Sequence, residues 1–358
     1  MSTTSERPEL QAAADAFVDA GFAGLQLRVN DAQGEWVGSA GVRELGSAER
    51  PPVDGSFWGG SVAKTFTSTV VLQQVADGLL DLDAPVADHL PELGLDHRIT
   101  ARMLLLHTSG LFNYTGEYYP DGTVAAGIPA TGKEWVDTRL DTYRAEDLVR
   151  LALSKPARFE PGADWSYSNT NYTLATLLVA QIAGRSYGEE AHLRILEPLG
   201  LRDTQLAGDT TDLPGPHAHG YYRYQDGEEW VVTDVTRQNL SMMPGAGAAI
   251  STTRDLHTFF SALNSGRLLP APLLAEMRTP NGPIDYGLGI FAQDLGEAGT
   301  VYHHNGGAPG GFGALMYSSP DGGRTLTAGI TMGDAPINPA EVFPAALDAL
   351  VRAVFTAR

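Results

Sequence analysis

The chain of 358 residues contains no cysteine, which excludes disulfides and thiolate metal sites. It has no apolar run of membrane-spanning length, and Met1 to Pro8 lack the apolar segment of a secretory leader. A cytoplasmic location is the expectation, although a secreted protein whose leader had been removed would read the same. Positive charge is scarce: 24 Lys and Arg face 43 Asp and Glu, for a formal net charge of -19. That balance repels nucleic acid and anionic lipid, so neither is expected as a partner. Lysine is scarcer still, at three of those 24 basic residues. Arginine stays protonated under ordinary conditions and cannot replace a lysine that must lose its proton. One of the three is Lys64, three residues after Ser61.

What is present is an ordinary soluble composition, 43% hydrophobic and 19% charged, in a chain long enough for a sizeable core. Residues 9–20 carry helical spacing. Residues 24–30 alternate as a strand, Asp31-Ala32-Gln33-Gly34 turns, and 36–42 reads as the hairpin partner. Residues 61–80 present Phe66, Val70, Val71, Val75 and Leu79, which suits a helix buried between layers. Residues 82–200 read as mostly helical, with amphipathic stretches at 100–107, 145–153 and 172–184. The loop 108–135, rich in glycine and aromatics, has the character of a lid or binding edge. A helix near 252–264 precedes strand-like stretches at 285–292, 299–304, 311–318 and 325–332. Pro320-Asp321-Gly322-Gly323 joins the last two as a hairpin, and 340–356 closes the chain as a helix. These elements predict an α/β (α+β) fold: an antiparallel sheet built from both termini, flanked by helices, with an inserted mostly helical lobe. The expected organisation is a single domain over 1–358, with a sheet lobe at about 1–60 and 245–358 and a helical lobe at about 80–240.

If Ser61 opens a helix, Lys64 falls one turn later on the same face, and a serine with an amine held against it is a candidate nucleophile–base pair. Alone, Ser-x-x-Lys is equally an exposed helix cap with a solvated lysine. Two further segments change that. Residues 159–172 place Tyr167 and Asn169 as Tyr-x-Asn after a Pro-Gly turn and before an apolar helix. Residues 301–307 end a strand-like run with His304, Asn305, Gly306 and Gly307. Lys64, with an ordinary pKa near ~10.4, must be shifted down to act as a base at neutrality, and burial of an amine does this. Tyr167 offers a phenolic oxygen for passing the proton to the leaving group. Asn169 can grip an amide of the acyl side, and Gly306 and Gly307 allow close approach of substrate backbone to a strand edge. Which of Lys64 and Tyr167 is the formal base is left open at this point.

Three motifs in this order resemble the penicillin-recognising serine enzymes: class C β-lactamases, D-alanyl-D-alanine carboxypeptidases and their esterase and D-aminopeptidase relatives. The resemblance extends to Leu104–Leu111, Gly245–Leu256 and Tyr286–Gly289, and is nearest to the actinomycete D-Ala-D-Ala carboxypeptidases. It implies a β-lactamase/transpeptidase-like fold and acyl transfer through an ester on Ser61, with no cofactor. It further implies an oxyanion hole from the backbone N–H groups of Ser61 and Gly307. His304 stands where many relatives carry lysine, and is expected to assist Tyr167 electrostatically and, protonated, to depress the pKa of Lys64.

Two departures bear on substrate. Where the carboxypeptidases place arginine for the substrate's terminal carboxylate, this chain reads Phe291-Ala292-Gln293. Asn305 replaces the usual threonine of the strand motif. Losing a guanidinium removes a bidentate partner for carboxylate. The expected substrate is therefore a small peptide, amide or ester whose leaving side need not be anionic, with D-aminopeptidase, amidase and esterase activities all compatible. A peptide-releasing thioesterase-cyclase of nonribosomal peptide assembly is an alternative, as is a penicillin-binding sensor that acylates without turnover. A P-loop look-alike at 127–134 fails at Glu134, which would repel phosphate. His217-Ala218-His219 and His303-His304 lack the carboxylate motif of a metal site, so no metal is expected. Oligomeric state is not encoded in any readable feature.

Overall fold

The computed structural model describes residues 7–206, 208–282 and 284–356. Helix α1 (Pro8–Asp19) leads into a hairpin of β1 (Gly24–Asp31) and β2 (Gly34–Gly41). The two-residue turn closes because the Asp31 side chain accepts from the Gln33 N–H at 2.8 Å and Gly34 adopts φ 105. The other strands of the main sheet come from the C-terminal part: β3 (Phe291–Asp294), β4 (Thr300–His303), β5 (Gly306–Gly307), β6 (Phe312–Ser318) and β7 (Thr325–Thr331). Their order is β2-β1-β7-β6-β4-β3, antiparallel throughout, with β5 continuing beside β6 where β4 ends. The predicted sheet from both ends of the chain is therefore present. One boundary is corrected: the strand expected at 285–292 begins only at Phe291. Asp285 at φ 50 and Gly289 at φ 81 hold the preceding segment in tight turns, and Tyr286 makes only an isolated bridge to Phe291.

One face of the sheet packs on α1 and α5 (Pro339–Phe355) through Phe17, Leu27, Leu315 and Leu350, all fully buried. The other packs on α4 (Thr253–Asn264), whose N-cap Thr252 accepts from the Asp255 N–H. Between that layer and α3 (Asn169–Ala183) lies α2 (Ala63–Ala76), buried on nearly every side over its first ten residues. Its apolar positions stack on α4, with Phe66 and Phe259 rings 3.6 Å apart. Its hydroxyls are satisfied where they are buried: Thr65 donates to Gly289 O at 2.8 Å and Thr67 to Gly245 O at 2.9 Å. These bonds tie the helix that follows Ser61 to two separate segments of the second half of the chain. The predicted helix at 61–80 thus ends earlier, at Ala76.

The region expected to be a mostly helical lobe also contains strands. A hairpin of Tyr221–Asp226 and Glu229–Asp234 turns at Gly227, which has φ 63, and a smaller one pairs Glu117–Tyr118 with Val124–Ala125 inside the 108–135 loop. No described helix is long and apolar enough to cross a membrane.

Candidate active site

Ser61 sits in a single tight turn, Gly60–Val62, immediately before α2, so Lys64 follows one turn on. The turn is seated by glycines. A Cβ on Gly306 would lie 1.8 Å from Gly59 O and 3.1 Å from Ser61 N, and one on Gly60 would lie 2.5 Å from Gly307 O. Strand β5 therefore presses backbone to backbone on the Ser61 turn, an approach that only glycine permits. His304 N–H bonds to Met316 O and Ala308 N–H to Phe312 O. By strand alternation the Gly307 N–H between them points away from β6, towards the free edge beside Ser61. That is the orientation an oxyanion hole requires.

Lys64 is fully buried, and burial pushes its pKa well below the ordinary lysine value. Its Nζ lies 2.7 Å from Ala246 O, 2.9 Å from Asn169 Oδ1 and 3.3 Å from Ser61 Oγ. The first two atoms can only accept. A neutral amine has two N–H bonds to satisfy them and one lone pair left, which faces the Ser61 hydroxyl. Tyr167 OH donates to Ser61 Oγ at 2.9 Å, and burial raises its pKa, so it rests as the neutral phenol. Asn169, at the start of α3, gives its Oδ1 to Lys64 and directs Nδ2 to Thr115 Oγ1 at 3.3 Å. Its second Nδ2 hydrogen faces only the weak acceptor Met243 Sδ, at 4.0 Å.

His304 is also brought to this group, but not in the expected state. It is buried, and burial lowers its pKa to about 3. It is neutral at ordinary pH, so a protonated His304 is not what depresses Lys64; desolvation is. His304 Nδ1 faces its neighbour's carbonyl, Asn305 O, at 2.8 Å, which fixes the proton there and leaves Nε2 to accept from Tyr286 OH at 3.4 Å. Tyr286 OH also lies 3.1 Å from Tyr172 OH, whose single proton goes to Leu105 O at 2.9 Å. His304 thus reaches a buried tyrosine chain, with no hydrogen bond to Tyr167 among the described residues.

Phe291 and Asn305 lie at the end of the same strands. Phe291 stacks on His303, which stacks in turn on Tyr317, at 5.1 and 4.5 Å between ring centroids. Asn305 Nδ2 donates to Tyr317 OH at 3.0 Å, leaving its buried Oδ1 without a partner. An aromatic ring and an amide thus stand at this strand end, and neither carries a positive charge. His107 was given no role by sequence reasoning. It is buried with φ 61, its Nδ1 accepts from Ser168 N–H at 3.2 Å, and its ring lies 4.4 Å from that of Tyr167. It holds the backbone between Tyr167 and Asn169. Its sequence signal is its place in the Leu104–Leu111 segment, at the end of an apolar run. Among the described residues no group of three or more His, Cys, Asp or Glu is placed to hold a metal.

A β-lactamase domain matches residues 10–341. The chain belongs to the β-lactamase family. Penicillin-binding protein 4* of Bacillus subtilis (strain 168) is 27% identical over 281 residues, covering 74% of this chain and 58% of that protein. A D-aminopeptidase of Cereibacter sphaeroides (strain KD131) is 28% identical over 269 residues, covering 73% of this chain and 47% of that one. The chain spans about half the length of the curated relatives it matches. Two solved structures superpose over almost their whole length. A D-stereospecific amidohydrolase from Streptomyces sp. shows 34% identity and a TM-score of 0.83, with 98% of each chain covered. The D-amino acid amidase of Ochrobactrum anthropi SV3, complexed with D-phenylalanine, shows 25% identity and a TM-score of 0.83, covering 98% of this chain and 99% of that one. The β-lactamase/transpeptidase-like fold expected from sequence is the fold of this family member.

Proposed function

We propose that this protein is one catalytic domain of an acyl-serine hydrolase acting on amides of D-amino acids or short D-peptides, and on matching esters. The observation that carries the reading is the Lys64 amine, buried and held by two obligate acceptors with its remaining valence towards Ser61 Oγ. Lys64 takes the Ser61 proton as Oγ bonds to the substrate carbonyl carbon. The backbone N–H groups of Ser61 and Gly307 receive the oxyanion. As the C–N bond breaks, Tyr167 gives its proton to the departing nitrogen, and the proton held by Lys64 restores the phenol. Water then enters in place of the amine, and the same proton path runs in reverse to release the acid and free Ser61.

The substrate class rests on different support. The Streptomyces and Ochrobactrum structures are named for D-stereospecific amide hydrolysis and match nearly end to end. Phe291 and Asn305 present no cation to a carboxylate on the leaving side, which favours a neutral leaving group over the terminal D-alanine of a carboxypeptidase substrate. The test is a turnover panel of D- and L-phenylalanine amide, D-Ala-D-Ala peptides, short-chain esters and peptidyl thioesters, with Ser61→Ala as control. D-amide turnover at least tenfold above the L-amide and the D-Ala-D-Ala peptide is expected, with none in Ser61→Ala. Selective cleavage of the D-Ala-D-Ala peptide would overturn the substrate reading, and residual turnover in Ser61→Ala would overturn the mechanism.

A further inference from the structure

Behind the β5–β6 turn, on the face of the sheet opposite α4, lies a cavity of about 330 Å³ with a largely apolar lining. Its origin is visible in the strand register. Gly307 pairs with Gly313, and Gly313 with Ile330, so two successive strands contribute no side chain at one level of that face. The neighbouring elements do not fill the gap. Phe22, Ile330, Met332, Ile337 and Phe343 line it. The volume lies within the range of small-molecule pockets, and a hollow of this size with an apolar lining favours an apolar ligand body.

The rim carries one feature that selects the other end of a ligand. Arg223, on the strand Tyr221–Asp226, stacks its guanidinium on the Trp230 ring at 3.8 Å and lines the cavity mouth. Its N–H groups make no ion pair or side-chain hydrogen bond among the described residues, in a protein where carboxylates outnumber basic groups by 43 to 24. Stacking on indole orients the guanidinium and leaves its donor edge free, a state suited to a planar carboxylate.

We propose that this cavity is a second ligand site, separate from Ser61, for a free medium-chain monocarboxylate: the apolar tail behind Gly313, the carboxylate on Arg223. The inference is independent of the reaction at Ser61. It is tested by calorimetric titration with sodium octanoate, with 1-octanol as the neutral counterpart. The wild-type protein is expected to bind octanoate saturably, about tenfold more tightly than octanol. Arg223→Gln is expected to bring octanoate down to the affinity of octanol. Gly313→Val is expected to abolish both, because a Cβ there meets nothing closer than 3.6 Å and the added methyl groups extend into the hollow. Ser61→Ala is expected to bind octanoate as the wild type does. Absence of saturable binding, unchanged binding in Arg223→Gln, or loss of binding in Ser61→Ala would each overturn the assignment. If Gly313→Val fails to fold, as judged by its melting curve, the Arg223→Gln comparison decides.

Discussion

The protonation state of Lys64 is open to a thermodynamic test that does not depend on any substrate. In the folded protein the amine is fully buried, with its pKa pushed well below the ordinary value of 10.5 by desolvation. In the unfolded chain it titrates near that ordinary value. Between the two pKa values the unfolded state carries one more proton than the folded state. Stability therefore rises with pH across this window, by about 1.4 kcal/mol per pH unit, and the dependence ends above the unfolded pKa. For a chain of 358 residues, with an unfolding entropy of roughly 2 cal/mol/K per residue, this corresponds to about 2 °C in Tm per pH unit. Lys64→Met preserves the shape of the side chain and removes the titration. It also orphans Ala246 O and Asn169 Oδ1, at about 1–3 kcal/mol each, while relieving the buried amine. Those two effects give an offset that does not vary with pH. Tyr167 is present in both proteins, so its titration cancels. The assay is Tm against pH for wild type and Lys64→Met from about pH 8 to pH 10. The difference, wild type minus variant, should climb by about 2 °C per unit. A flat difference would show that Lys64 stays protonated in the folded protein, and the neutral-amine base would be refuted.

Tyr167→Phe removes the donor 2.9 Å from Ser61 Oγ and should lower kcat by about 10²–10⁴-fold, read in steady-state amide hydrolysis, with far-UV circular dichroism unchanged. The loss should be smaller for an activated ester, whose leaving group needs no proton. Gly306→Ala forces a Cβ to 1.8 Å from Gly59 O, so the β5 strand must separate from the Ser61 turn; acylation by an activated ester, followed by intact-protein mass, should become undetectable. Phe291→Arg places a guanidinium beside His303 and His304 and should raise acylation by a fluorescent penicillin at least tenfold, with the gain weakening as salt is added.

The proposed catalytic set is largely legible in sequence because its parts are local. Ser61 and Lys64 are one helical turn apart, Tyr167 and Asn169 flank the start of α3, and Gly306 and Gly307 form one strand end. The second acceptor on Lys64 is not legible: Ala246 O is a backbone carbonyl, and any residue type supplies one. The strand expected at 285–292 fails for a related reason. Its alternation is real, yet the turn at Gly289 serves the approach to Ser68 and Thr65 on α2, which is a tertiary demand. The 221–234 hairpin was missed although Asp226-Gly227 marks its turn.

The largest departure concerns charge. Reading His304 as a cation follows from the lysine it replaces, but an imidazole loses its proton on burial far more readily than an amine does, starting from 6.5 instead of 10.5. The same desolvation that frees the Lys64 lone pair therefore also neutralises His304, and no sequence pattern reports that depth. Under the proposed mechanism the resting site then holds a neutral nucleophile, a neutral base and a neutral acid. Attack creates the first charges, on Lys64 and on the substrate oxygen. The cost of forming them in a dry site must be offset by groups already oriented: Ala246 O and Asn169 Oδ1 for the ammonium, and the N–H groups of Ser61 and Gly307 for the oxyanion. Ser61 Oγ, which the ammonium faces at 3.3 Å, has by then become the ester oxygen, so the proton on that edge of Lys64 is the least firmly held and the one available for return through Tyr167.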